Sequence, residues 1–232
     1  FSKIHPIKTK YKLIRIGNKD DGGYLLPNDL FGVKTCFSPG VERTASFELD
    51  LLSRGIKCHL ADYSVDEPPI QHKLISFEKK FIGSVADSRH ITLHEWICMK
   101  SPNDTNMILQ MDIESDEYPV LLSTDSEILT KFRILIIEFH DLDALLDMHG
   151  FELINLTFMK LLRNFSIVHI HPNNCRKPIK YKNYSIPPVM EITFLRNDRI
   201  LQSKPYVKFP NKLDERNIKS LPDIELPNCW IN

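Results

Sequence analysis

No two of the five cysteines stand close enough to form a metal knuckle. Cys36, Cys58, Cys98, Cys175 and Cys229 lie far apart and are odd in number. This excludes a CxxC zinc site and a disulfide framework, and it fits a reducing, cytoplasmic compartment. No apolar run approaches the ~20 residues of a membrane helix, so no membrane span is expected, and a signal-peptide pattern is lacking. An excess of either charge is lacking too, since 30 basic and 30 acidic residues cancel. That balance speaks against a phosphate backbone as the main partner, and no nucleic-acid partner is expected. Glycine is missing where nucleotide folds usually show it. The turn after the first core strand holds only Gly40, so neither G-x-G-x-x-G nor a Walker sequence is satisfied. Internal repeats and low-complexity tracts are absent. The chain begins with Phe1 rather than Met, which reads as a domain taken from a longer protein.

What is present is an ordinary globular composition, 42% hydrophobic and 26% charged over 232 residues, enough for one sizeable core. Short apolar runs alternate with amphipathic stretches, the pattern of a parallel sheet with crossover helices. Strands are expected at 33–40, 56–64, 75–83, 106–113, 132–142, 166–174 and 187–198. Helices are expected at 43–55, capped by Gly55, at 91–100, after residue 115, and through 143–165. The reading is a single α/β domain over 1–232. Residues 1–32 form a hairpin or cover segment around Gly22 and Gly23, 33–198 form the core, and 199–232 form a surface tail.

Several strands end in residues with chemistry, and in open parallel sheets ligands bind at that edge. The loop "FSPGVERTASFE" places Ser38, Pro39 and Gly40 between a strand and a helix, where a turn can approach a ligand or be merely a tight turn. Asp62 ends the next strand, where an acid accepts ribose hydroxyls or simply faces solvent. Asp112 and Glu138 end strands expected to be neighbours. They suit a divalent metal such as Mg²⁺, a cofactor amine or a sugar. Glu114 follows, while Asp116 and Glu117 read as acids that favour the start of the next helix. His140, His169 and His171 are base candidates, because an imidazole titrates near neutrality. His169 and His171 share one strand face. Tyr24 follows the D-D-G-G turn and is placed to fold over the ligand edge.

The ordered set "RIGNKDDGGYLLP", "CFSPGVERTASFE", "HLADYS", "ILQMDIES", "ILIIEFH", "HIHPNN" and "MEITF", spanning about 13–196, resembles the FkbM-like family of S-adenosylmethionine-dependent methyltransferases. The resemblance implies a Rossmann-like, seven-stranded, mostly parallel sheet whose last strand is antiparallel. It also implies S-adenosylmethionine as cofactor and methyl transfer to a hydroxyl of a sugar or small natural product. Gly40 matches the glycine of the cofactor turn, Asp62 the ribose-binding acid, and Asp112 and Glu114 the two acids of a K-I-D-V-E-G stretch. Two positions depart from the pattern: Glu42 and Ser115 stand where glycines are usual. The expected function is therefore an O-methyltransferase with an optional Mg²⁺ held by Asp112 and Glu138, and with His140 or His171 as base. Ser38, Pro39, Gly40, Asp62, Asp112 and Tyr24 would hold the cofactor. The alternative is a catalytically degenerate glycan- or partner-binding module on the same scaffold.

Overall fold

The computed structural model describes residues 4–182, 184–202, 204–205, 209–226 and 228–230. A hairpin comes first: β1 (Leu13–Gly17) pairs antiparallel with β2 (Gly23–Pro27). The core strands are β3 (Thr35–Pro39), β4 (Lys57–Ala61), β5 (Ile75–Glu78), β6 (Met107–Met111), β7 (Phe132–Phe139), β8 (Phe165–Pro172) and β9 (Met190–Arg196). Their order in the sheet is β8-β9-β7-β6-β3-β4-β5. β3 to β7 run parallel, and β9 inserts antiparallel between β7 and β8. This is the Rossmann-like arrangement expected, with a last strand running against the others.

Period-two alternation divides the apolar residues between two layers. Phe37, Leu109, Leu135 and Ile137 face α2 (Leu93–Lys100), α3 (Glu117–Ser123) and α4 (Met148–Leu161), where Trp96, Tyr118 and Phe158 pack on them. Cys36, Ile108, Ile134 and Ile136 face the opposite way, toward the hairpin and α1 (Ser46–Ser53), against Ile16, Tyr24, Leu26 and Phe47. Cys36 and Cys58 are small, fully buried core residues. The hairpin is thus a second wall of the core, and Thr193 Oγ1 donates to the Leu25 carbonyl at 2.6 Å to fasten it to β9.

Some boundaries differ from expectation. The stretch 75–83 is split: β5 ends at Glu78, and Phe81–Gly83 pairs instead with His90–Thr92 outside the main sheet. Thr92 then caps α2, accepting from the Glu95 N–H while the Glu95 side chain accepts from the Thr92 N–H, so the helix starts two residues later than periodicity suggests. Residues Leu142–Leu146 form a short 3₁₀ turn before α4. The tail does more than wrap the surface. The Asp214 and Asn217 side chains are buried under it and Trp230 enters the core, because polar groups on β8 and β9 need partners. Tail residues 203, 206–208, 227 and 231–232 lie outside the described ones.

The tightest approach in the fold is at Gly40, where φ is +83° and an added Cβ would sit 1.5 Å from the Asp112 carbonyl oxygen. Only glycine fits there. Gly40→Ala is therefore expected to cost more than ~2 kcal/mol. It should lower the urea midpoint without changing the slope, and an unchanged midpoint would contradict the contact.

Candidate functional site

The Gly40 turn joins three strand ends. Its N–H donates to the Ala61 carbonyl at 3.0 Å, and the Asp112 N–H points to the Pro39 carbonyl at 3.4 Å. Beside it lies Asp62, almost fully buried. Its Oδ2 accepts from the Glu42 N–H at 2.8 Å, and its Oδ1 accepts from the Ser64 N–H and hydroxyl, both at 2.7 Å. A carboxylate has about four acceptor positions, so one place on Oδ2 remains. Glu42 holds φ at +41° and Ser115 at +83°. The two positions that lack the expected glycine therefore keep a glycine-like backbone, a strained conformation for L-residues.

A cleft of about 370 Å³ opens over these strand ends, from the hairpin turn at Asp21 and Gly22 to Asp112 and Glu114. Seven carboxylates line it, and no Lys, Arg or His among the described residues does. Gly40, Asp62, Asp112 and Tyr24 are on its wall; Ser38 and Pro39 are not. Ser38 is fully buried behind it. Its hydroxyl joins Glu48 to Gln110 Oε1, and Gln110 Nε2 donates to the Tyr24 hydroxyl at 3.3 Å. Burial raises the Glu48 carboxyl, and a protonated Glu48 lets Ser38 accept from one neighbour and donate to the other. Burial, then Glu138 and Asp112, likewise hold Tyr24 as a phenol. Ser38 therefore stands behind the wall and not on it.

The other side of Asp112 is a knot of acids around one imidazole. His140 Nδ1 lies 2.9 Å from Glu117 Oε1. Its Nε2 is 3.6 Å from Glu114 Oε2, 3.8 Å from Asp112 Oδ1 and 4.0 Å from Glu138 Oε1. Tyr118 donates to the His140 carbonyl at 2.6 Å and fixes the backbone. Burial alone would lower this imidazole. The Glu117 hydrogen bond and charge, then Asp112 and Glu114, outweigh burial and raise it. Glu117 is completely buried and also accepts the Ile113 and Ser115 N–H groups. It is thus an inward-facing partner of His140, where sequence reasoning saw only a helix-start acid.

The acids continue across the sheet. Glu138 on β7 faces Glu191 on β9, which faces His171 on β8. Like charges opposed in this way repel. Burial pushes Asp112 up to about 7, although His140 acts against it. Burial pushes Glu191 up to about 8 and raises Glu138 well above its ordinary range, with Asp112 and Glu191 adding to the effect. Asn173 Nδ2 donates to Glu138 at 2.7 Å, and Asn217 Nδ2 to Glu191 at 2.6 Å. His171 is kept neutral by burial and stands across the Glu191 strand from Glu138, off the cleft. His169 and His171 do share a face, but both turn to Asp214, at 2.9 Å and 3.8 Å. The group that could hold a cation also differs from the expected pair. Asp112, Glu114 and His140 place three ligand atoms within 4.8 Å of one another, whereas Glu138, whose Oε1 accepts from Asn173, is not part of that trio.

No family model matches this chain. No curated protein matches it either. Some solved structures are similar to it at low identity. The fibrillarin/Nop5p complex is 12% identical with a TM-score of 0.44, over 71% of this chain and 73% of that one. The N-methyltransferase NodS of Bradyrhizobium japonicum WM9 is 10% identical with a TM-score of 0.39, over 71% and 86%. An rRNA methylase of Streptococcus thermophilus is 11% identical with a TM-score of 0.37, over 71% and 87%. At these identities the likeness concerns the fold alone.

Glu191, Asn173, Asn217 and Glu117 escaped sequence reasoning. Glu191 had a signal, an acid inside the apolar run "VMEITF"; the asparagines had none. An acid whose folded pKa exceeds its unfolded one binds its proton more tightly when folded. Its stabilising effect is complete below about 4.5, the ordinary Glu value, and is lost as pH rises to about 8 for Glu191. The protein should therefore lose on the order of 5 kcal/mol between those limits. Glu191→Gln should flatten that decline in urea titrations at several pH values; an equal decline in both proteins would refute the assignment.

Proposed function

We propose that this chain is an S-adenosylmethionine-dependent O-methyltransferase acting on a hydroxyl of a sugar or small natural product. The observation that carries the reading is the acid-lined cleft, whose Gly40 turn is pressed onto Asp112 and whose far wall is Asp62. Even with Glu48 protonated, a lining of acids without a cationic side chain suits a positively charged ligand and repels a pyrophosphate, which disfavours a dinucleotide. The ordered motifs shared with the FkbM-like family support the same reading.

The residues fit this cofactor. The remaining acceptor place on Asp62 Oδ2 suits a ribose hydroxyl, the bare Gly40 backbone admits close approach, and Asp21, Asp112 and Glu114 complement positive charge. Bound S-adenosylmethionine supplies an electrophilic methyl group on a sulfonium. The protein's own task is then to align an acceptor oxygen and remove its proton. His140 Nε2 is the base, because it lies 3.8 Å from Asp112 Oδ1, just behind the cleft wall that Asp112 forms, while Nδ1 is engaged by Glu117. Glu117 fixes the tautomer that leaves Nε2 free to accept, and the surrounding carboxylates stabilise the imidazolium that results.

One observation favours a second reading of the same atoms. Asp112 Oδ1 has no hydrogen-bond partner among the described residues, and it belongs to the trio with Glu114 and His140. A divalent cation bound there would lower the pKa of an acceptor hydroxyl, with His140 a ligand and not the base. A nitrogen in the set suits Mn²⁺ better than Mg²⁺.

Calorimetry tests the cofactor. S-adenosylmethionine should bind at least ~10-fold more tightly than uncharged S-adenosylhomocysteine at low salt. Asp62→Ala should weaken both, and no heat with either ligand would end the proposal. With an acceptor in hand, the rate should rise with pH through an ionisation above the ordinary imidazole value of 6.5. His140→Ala should cost ~10²-fold or more in kcat. Loss of activity on chelation, restored by Mn²⁺, would select the second reading.

A further inference from the structure

A second groove lies apart from the acid cleft and has the opposite charge. Three segments build it: the N-terminal residues 7–13, Val168 of β8, and residues 211–213 of the tail. Together they enclose about 450 Å³. Exposure alternates strictly along the first segment. Lys8, Lys10 and Lys12 face outward, while Ile7, Thr9, Tyr11 and Leu13 are half-buried. Successive lysines are therefore no more than ~7 Å apart along the chain. Exposed Lys212 stands on the opposite rim, and Leu13, Val168 and Leu213 form an apolar floor.

Two observations indicate that this surface awaits an anion. Ile7–Lys8 pairs antiparallel with Lys204–Pro205, and the register sets Lys8 directly across from Lys204. Like charges in that position repel, and no carboxylate among the described residues pairs with either, or with Lys10, Lys12 or Lys212. Beneath the groove, the Tyr11 hydroxyl accepts from Arg199 at 3.2 Å. Arg199 and Arg133 share the carboxylate of Asp29 beneath one side of the groove, and the buried Asp214 carboxylate lies under the other, accepting from the Asn211 N–H at 2.7 Å. The Tyr11 ring is covered by Lys10 Nζ at 4.8 Å from its centre. A ring engaged on its face and at its hydroxyl is no stacking platform for a nucleobase. The groove is concave, which suits a chain more than a flat bilayer.

We propose that this groove binds a polyanionic chain without bases, of the sulfated-polysaccharide class. Lys8, Lys10, Lys12, Lys204 and Lys212 pair with its charged groups, and the apolar floor meets the C–H faces of its sugar rings. The inference stands apart from the methyl-transfer reading, since neither groove shares a residue with the other.

Heparin serves as the probe, with poly(U) RNA as the base-bearing comparison. The native protein should bind heparin with an affinity that falls steeply between ~50 and ~200 mM salt. The triple variant Lys8→Gln, Lys10→Gln, Lys12→Gln should bind ~10-fold or more weakly at the lower salt and show a shallower salt dependence. Lys212→Glu alone should weaken binding in the same direction, which covers the event that the triple variant misfolds by circular dichroism. Lys57→Gln, an exposed lysine of β4, should leave heparin binding unchanged. The proposal is overturned by a native protein that ignores heparin, by variants that bind it as the native does, or by tighter binding to poly(U) at equal salt.

Discussion

Three carboxyl groups that cannot all be ionised stand side by side at the C-terminal edge of this sheet. Asp112, Glu138 and Glu191 belong to adjacent strands, β6, β7 and β9, and Glu138 and Glu191 face each other directly. Burial disfavours their charged forms, and mutual repulsion disfavours them further. Each must keep a proton or find a donor, and the rest of the molecule is arranged to supply donors. Asn173 comes from the end of β8 and Asn217 from the tail. The tail is anchored because Asn217 reaches Glu191 and Asp21 at once, which ties it to the hairpin turn as well.

The same edge explains the character of the cleft. A parallel sheet brings its strand ends to one level, and here nearly every end carries an acid. The overall balance of 30 cations and 30 anions conceals this segregation. Negative side chains gather over the strand ends, while lysines from the two ends of the chain gather at a separate groove. A neutral protein thus presents two fields of opposite sign, each suited to a ligand the other would repel. Net charge alone was a poor guide to partners for that reason.

Much of the core was legible in the residues. Runs such as "FRILIIEF" and "VMEITFL" are too apolar and too short to be anything but buried strands, and the turn at Gly40 and the acid at Asp62 mark strand ends. The strand boundary at Glu78 was not legible, because "ISFEKKFIG" continues the pattern through a break that only pairing reveals. The orientation of Ser38 was hidden for a related reason. It sits beside the Gly40 turn in sequence, yet strand alternation turns it inward to Glu48 and Gln110. Glu117 was read as a helix-start acid because local dipole arguments see the first turn of α3 and not the imidazole 23 residues later.

The sequence by itself determined the sheet-and-crossover architecture, the hairpin, the glycine turn and the acids at the strand ends. Those features are local, since periodicity and the steric freedom of glycine act within a few residues. Tertiary structure alone decided which acids are buried side by side, that Glu117 holds His140, that His171 is shut away behind Glu191, and that Glu114 joins Asp112 where Glu138 had been expected. It also decided that lysines near residue 10 and near residue 210 face one groove. Charges interact across space at a strength set by burial and distance, and neither quantity is written along the chain.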